Sequence, residues 1–280
     1  MDRYAGRQRH LKPLGDYAPM LRAACASAAL LAVPAASAAQ AMDPGAYPSP
    51  SGQDLLRPTH RIDLRTEYAS SPNEQAVAET VRYDHPIRLT ARSQLNFRLD
   101  VPLVHSAVEE SGATIKQSGL GDMLVQAIYV RRLTDTQGFG FGAQLIMPTA
   151  RKDTLGRGKW RLRPTAGYRW SVNLTPGSFF QLTARYDFSF AGKDNRKDVR
   201  ELQFAPNLEI ELPGEAYVSI FPSTDIRYNF VKNRLFFPAN LEIGKSWGRV
   251  VGSVEGAAAL INGDDGPYKW KLEGRLGVRF

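Results

Sequence analysis

The final thirteen residues, Tyr268–Phe280, constrain the fold more than any other stretch of the chain. Tyr268, Trp270, Leu272, Leu276, Val278 and Phe280 share one parity, and Lys269, Lys271, Glu273, Arg275 and Arg279 share the other. Successive side chains of a strand point to opposite faces. The segment therefore predicts a strand with one apolar and one charged face. A half-buried edge strand of a soluble sheet also alternates. An apolar face that runs to an aromatic last residue points instead to a surface turned toward lipid.

The same pattern recurs through the chain. Twelve alternating segments can be read: 61–68, 77–89, 94–104, 121–132, 138–148, 159–171, 178–190, 199–212, 216–230, 235–245, 249–261 and 267–280. In the seventh, Phe180, Leu182, Ala184, Tyr186, Phe188 and Phe190 oppose Gln181, Thr183, Arg185, Asp187 and Ser189. Most segments reach the nine to eleven residues or so that a tilted strand needs to cross a bilayer. The chain has no run of eighteen apolar residues that could cross as a helix, and a barrel hides its membrane face as alternation. The fold class expected is all-β: an antiparallel transmembrane β-barrel of twelve strands, or ten if 61–68 belongs to the lead-in. Connections near 90–93, 133–137, 172–177, 213–215 and 246–248 are short and alternate with longer ones, as periplasmic turns and outer loops do, except that the late loops 231–234 and 262–266 are short as well. Pro164, Pro206, Pro222 and Pro238 fall inside segments, where each marks a bulge, a kink or an interruption.

Ahead of the alternating region, Arg22 precedes an apolar stretch, 23–36, and Ala39-Gln40-Ala41 fits a cleavage site. Residues 1–41 thus read as a signal peptide with an extended leader. Met20 is an alternative start and the bond after Ala38 an alternative cut. Residues 42–60, rich in Pro, Ser and Gly, read as a flexible periplasmic lead-in, and 61–280 as the barrel. Cys25, the single cysteine, lies in the leader, so the exported chain has neither disulfides nor thiolate metal sites.

The polar faces converge on a lumen. Arg98, Asp100, Asp122, Arg161, Arg163, Arg169, Arg185, Asp187, Arg227, Lys269, Lys271 and Arg275 are the lining candidates. They either form a charged ring that selects solutes or a network of ion pairs that braces the interior. The net charge of +8 at pH 7 could indicate nucleic-acid binding, but these bases alternate with acids along strands, which favours a charged lumen. His105-Ser106 is the nearest approach to a hydrolytic pair and lacks a hydrolase motif around it. Asp264-Asp265 reads as a solvated turn, and Gly156-Arg-Gly-Lys159 lacks the phosphate-loop pattern. No metal spacing, cofactor motif or catalytic set is expected.

Phe280 and the apolar positions before it resemble the terminal strand that the assembly machinery of outer-membrane barrels reads. A second resemblance rests on Gly119-Leu-Gly-Asp122, Gly140-Phe-Gly-Ala-Gln-Leu-Ile-Met-Pro148, Leu155-Gly-Arg-Gly-Lys-Trp160 running into Pro164, Asn233-Arg234 with Phe237-Pro238, and Gly244-Lys245. In this order, over about residues 80–280, they resemble the outer-membrane transporter-like proteins of the phenol-degradation meta-pathway family. The resemblance implies a channel for small, often aromatic or hydrophobic, compounds, and it brings no catalytic or binding residues. The function expected is passive uptake of small aromatic or anionic solutes across the bacterial outer membrane. The alternatives are a non-transporting structural or surface-interaction barrel and a membrane-embedded lipid hydrolase. The partners expected are outer-membrane lipid and lipopolysaccharide, the barrel-assembly machinery through Phe280, and the solute.

Overall fold

The computed structural model describes residues 49–280 apart from Asn73, Ser111, Gly112 and Asp265; the leader read as a signal peptide lies outside the described residues. The described residues contain no helix. They form fourteen strands: β1 (Arg61–Ser70), β2 (Glu74–Thr90), β3 (Ser93–Glu110), β4 (Ala113–Leu120), β5 (Met123–Arg132), β6 (Gln137–Met147), β7 (Lys159–Ser171), β8 (Phe179–Gly192), β9 (Arg200–Leu212), β10 (Ala216–Ile220), β11 (Ile226–Asn229), β12 (Arg234–Trp247), β13 (Val250–Ile261) and β14 (Trp270–Arg279).

All pairings are antiparallel, and β1 pairs with β14 from Arg61↔Arg279 to Ser70↔Trp270, so the sheet has no free first or last strand. Two barrel positions are each filled by two pieces. β5 pairs with Ser93–Asp100 of β3, and β4 with the Leu103–Glu110 end of the same strand. β10 and β11 lie end to end between β9 and β12. Fourteen segments thus make a closed twelve-position barrel, the architecture the alternation predicts. The ten-strand alternative fails because residues 61–70 are the closing strand.

Both broken positions depart from the sequence reading. Residues 113–120, expected as outer loop, form β4. Most of its side chains are exposed, so neither face carries the apolar signature by which strands are recognised. The expected strand 216–230 is interrupted at Phe221–Asp225, where Pro222 has no N–H to give the ladder. Beside this break the ladder skips Ala205–Asn207 of β9 and Phe237–Asn240 of β12, and the β12–β13 register shifts at Phe237/Pro238. Pro206, Pro222 and Pro238 therefore gather at one thin place in the wall. Pro164 pairs with Ala143 on β6, while the β7–β8 ladder skips Arg163 and Pro164.

The packing is inverted relative to a water-soluble sheet. Along β12, Leu241 and Ile243 are 44% and 58% exposed, whereas Asn240 and Glu242 are 5% and 3% exposed. Trp247 and Trp270 stand near strand ends on the outward face, where amphipathic rings suit a lipid–water boundary. Tight hairpins close the end where β1 begins and β14 ends, as at Gly248, whose φ of 62° suits the left-handed turn joining β12 to β13. Because β12 presents Leu241 near mid-strand, Leu241→Arg should cost about 2–4 kcal/mol of folding into bilayers, and Trp247→Arg at the strand end about 0–1 kcal/mol. Urea unfolding in lipid vesicles measures both, and equal costs would contradict the outward, depth-graded placement.

Candidate functional site

The inward faces of the strands enclose a lumen filled by three layers: a plug, a ring of ion pairs, and an inward-folded loop. The plug is the segment before β1. Its composition reads as a flexible lead-in, but Ser49, Ser51 and Asp54 are buried. Having no regular structure, the segment needs partners for its polar groups, and the barrel supplies them. Glu209 on β9 accepts from Ser49 Oγ at 2.8 Å and Ser51 Oγ at 2.6 Å. Gln53 Nε2 donates to Glu242 at 2.6 Å, and Asp54 pairs with Arg169 at 2.9 Å. Arg275 and Arg279 of β14 donate to the carbonyl oxygens of Ser51 and Ser49. Burial works against the Arg57 charge, but Asp54 and Glu211 outweigh it and hold its pKa above the ordinary arginine value. Leu55 and Leu56 pack against Ile128 and Val130. Gly138 and Gly140 of β6 make room for them: a Cβ at Gly140 would lie 3.0 Å from Leu55 Cδ1.

Most of the ring is set by cross-strand register. Arg82 and Asp100 are direct partners across β2–β3 and form a two-bond pair at 2.8 and 2.7 Å. Asp84, opposite Arg98, accepts from it at 2.7 Å and from Arg61 at 3.0 Å. Asp187 on β8 accepts from Arg161 and Arg163, each at 2.8 Å. Arg65 pairs with Glu273 at 2.9 Å.

The third layer is the interruption between β10 and β11, which folds into the barrel. Ser223 Oγ donates to Glu255 at 2.9 Å, Thr224 Oγ1 accepts from Arg185, and Asp225 pairs with Arg227 at 3.0 Å and Lys271 at 2.9 Å. Tyr268 Oη donates to Asp225 at 2.7 Å. Between this loop and the plug lies a cavity of about 450 Å³, lined largely by polar side chains.

Of the twelve lining candidates, Arg98, Asp100, Arg161, Arg163, Arg169, Arg185, Asp187, Arg227, Lys271 and Arg275 take part in these layers. Two do not. Asp122 sits in the β4–β5 break and caps the 148–158 loop, accepting from the Arg157 amide at 2.7 Å. Lys269 is exposed and pairs with Asp264 at 2.7 Å, because the chain bends ahead of β14 and the alternation starts only at Trp270. The same bend turns Tyr268 inward, against its parity in the sequence. Sequence reasoning missed the plug residues, Tyr217, Glu242 and Glu255. The alternating inward glycines of β6 were the available clue to the plug.

The His105–Ser106 pair is not assembled. His105 and Ser106 point to opposite faces, as neighbours in a strand must; His105 Nδ1 meets Ser118 Oγ at 2.8 Å and Ser106 is fully buried. Asp264 of the expected solvated turn pairs with Lys269, and Asp265 is outside the described residues.

The chain is similar to known proteins. The family model described as "Putative MetA-pathway of phenol degradation" matches residues 73–212, half of the chain. No curated protein matches. Among solved structures, the COG4313 outer membrane channel from Pseudomonas putida F1 is 16% identical with a TM-score of 0.66, over 85% of this chain and 100% of that one. The NanC porin is 12% identical with a TM-score of 0.50, over 78% of this chain and 98% of that one. At these identities the likeness is one of fold, that of an outer-membrane barrel. With the closed twelve-position barrel and the match across half its length, the chain belongs to the family described as "Putative MetA-pathway of phenol degradation".

Proposed function

We propose that this barrel is a channel of the bacterial outer membrane through which small solutes, aromatic or anionic ones among them, diffuse passively. The observation that carries the reading is the polar cavity of about 450 Å³ left between the plug and the inward loop. A barrel held together only for structure has no need of a water-accessible space ringed by fixed charges, whereas charged rings are how pores select. Apolar outward faces suit lipid, and the likeness to a channel and a porin supports the same class. In this reading the leader directs export and is cleaved, Phe280 engages the assembly machinery, and the outer rim meets lipopolysaccharide.

Reconstitution in planar bilayers tests the proposal. Discrete conducting steps are expected, and liposome swelling should admit small aromatic acids faster than disaccharides. Folded protein that gives no steps would favour a non-transporting barrel, for which the many anchors of the plug are the specific argument.

A further inference from the structure

We propose that the lumen contains a binding site for a small monocarboxylate, centred on Arg185. The inference rests on the channel reading and names the class of solute that the cavity favours. Arg185 lies on the inward face of β8, paired across the sheet with Thr165 on one side and Gln203 on the other. Neither neighbour is charged. Its Nη1 donates to Thr224 Oγ1 of the inward loop, and its Nε has no partner. The other arginines and the lysine around this cavity are matched to carboxylates: Arg82 to Asp100, Arg98 to Asp84, Arg163 to Asp187, Arg227 and Lys271 to Asp225. Among the described residues lining the cavity, Arg185 is the cation that forms no ion pair with a carboxylate.

An interior charge with no paired counterion is unfavourable, and a cavity that admits solutes lets an anion supply the missing partner. The geometry narrows the class. With Nη1 engaged by Thr224, the Nε–Nη2 edge remains, and that edge matches two oxygens of one carboxylate through parallel hydrogen bonds. One unmatched charge calls for a monoanion rather than a dianion. Thr183, Gln203 and Asn207 line the same cavity as neutral polar groups, and Leu55, Ile128 and Pro222 supply apolar surface for the body of the ligand. Because Thr224 belongs to the inward loop, Arg185 itself links the barrel wall to the segment that narrows the lumen.

Benzoate and its uncharged counterpart benzamide are the probes, titrated by calorimetry into the detergent-solubilised barrel, with Arg185→Gln and Arg185→Lys alongside. Saturable benzoate binding is expected, at least about tenfold tighter than benzamide, because the charged two-bond contact is missing from the amide. Arg185→Gln should abolish that preference, and Arg185→Lys, which keeps the charge without the planar fork, should restore part of it. Thermal unfolding of Arg185→Gln should be unchanged or shifted upward, since a purely structural arginine would lower it. Equal binding of benzoate and benzamide, undiminished benzoate binding by Arg185→Gln, or tighter binding of inorganic phosphate would each overturn the proposal. Planar-bilayer recordings on the same proteins separate it from the channel reading. Conducting steps without benzoate preference leave the channel and remove the site; benzoate binding that depends on Arg185 in a barrel without steps leaves the site and removes the channel.

Discussion

Deleting residues 49–59 is expected to raise single-channel conductance roughly tenfold, because a twelve-position barrel is intermediate between the filled and the open-channel sizes and here owes its narrowness to inserted chain. The segment occupies the lumen at the end where the chain enters β1, and its contacts reach β5, β7, β9, β12 and β14. None of these is part of the strand ladder, so the wall should survive the loss. Glu209, Arg169 and Arg275 would exchange plug partners for water. Liposome swelling should then admit sugars that the intact protein excludes. Conductance unchanged after the deletion would mean that the inward loop at Phe221–Asp225, and not the plug, sets the narrowest point.

The largest stability effect is expected at Asp187. Its carboxylate is fully buried and bridges Arg161 and Arg163, at 2.8 Å each. Arg163 is one of the two residues that the β7–β8 ladder skips at Pro164, and Arg161 lies just before the gap, so the Arg163 ion pair ties the two strands where the ladder does not. Asp187→Ala leaves two guanidinium groups facing each other in the interior and should destabilise by about 3–5 kcal/mol, the range for removing one partner of a buried pair. Asp187→Asn keeps an acceptor and should cost less. The midpoint of urea unfolding in vesicles reads the difference. A loss under about 1 kcal/mol would show that lumen water already screens the pair.

The strand count was legible because one face of every full-length strand meets a uniformly apolar surrounding, which writes a period of two into the sequence. Residues 94–101 and 180–190 follow it without exception and lie within β3 and β8. The same logic explains the misses. β4 projects where both faces are exposed, so it carries no such signature. Pro222 announced trouble in the ladder, but a missing N–H does not say whether a chain bulges or turns into the barrel. Lys269 and Tyr268 were assigned by carrying the parity of β14 back across a bend. For the plug, Pro, Ser and Gly report the lack of regular structure, which differs from freedom to move. Its anchors, such as Ser51–Glu209 and Gln53–Glu242, join residues far apart in sequence. Inward arginines were legible as a set, but which of them lacked an anion depended on where the inward loop placed Asp225 and Thr224.

The seam between β1 and β14 dictates an order of assembly. Phe280 N–H donates to His60 O at 3.0 Å, and two arginines of β14 hold Ser49 and Ser51. The strand synthesised last is thus the one that grips the residues just ahead of the strand synthesised first. A nascent chain lacking β14 has an unclosed sheet and a plug short of two of its anchors at once. Sealing the wall and seating the stopper become a single late event, which spares the cell an interval in which a finished but unstoppered cylinder stands in its membrane.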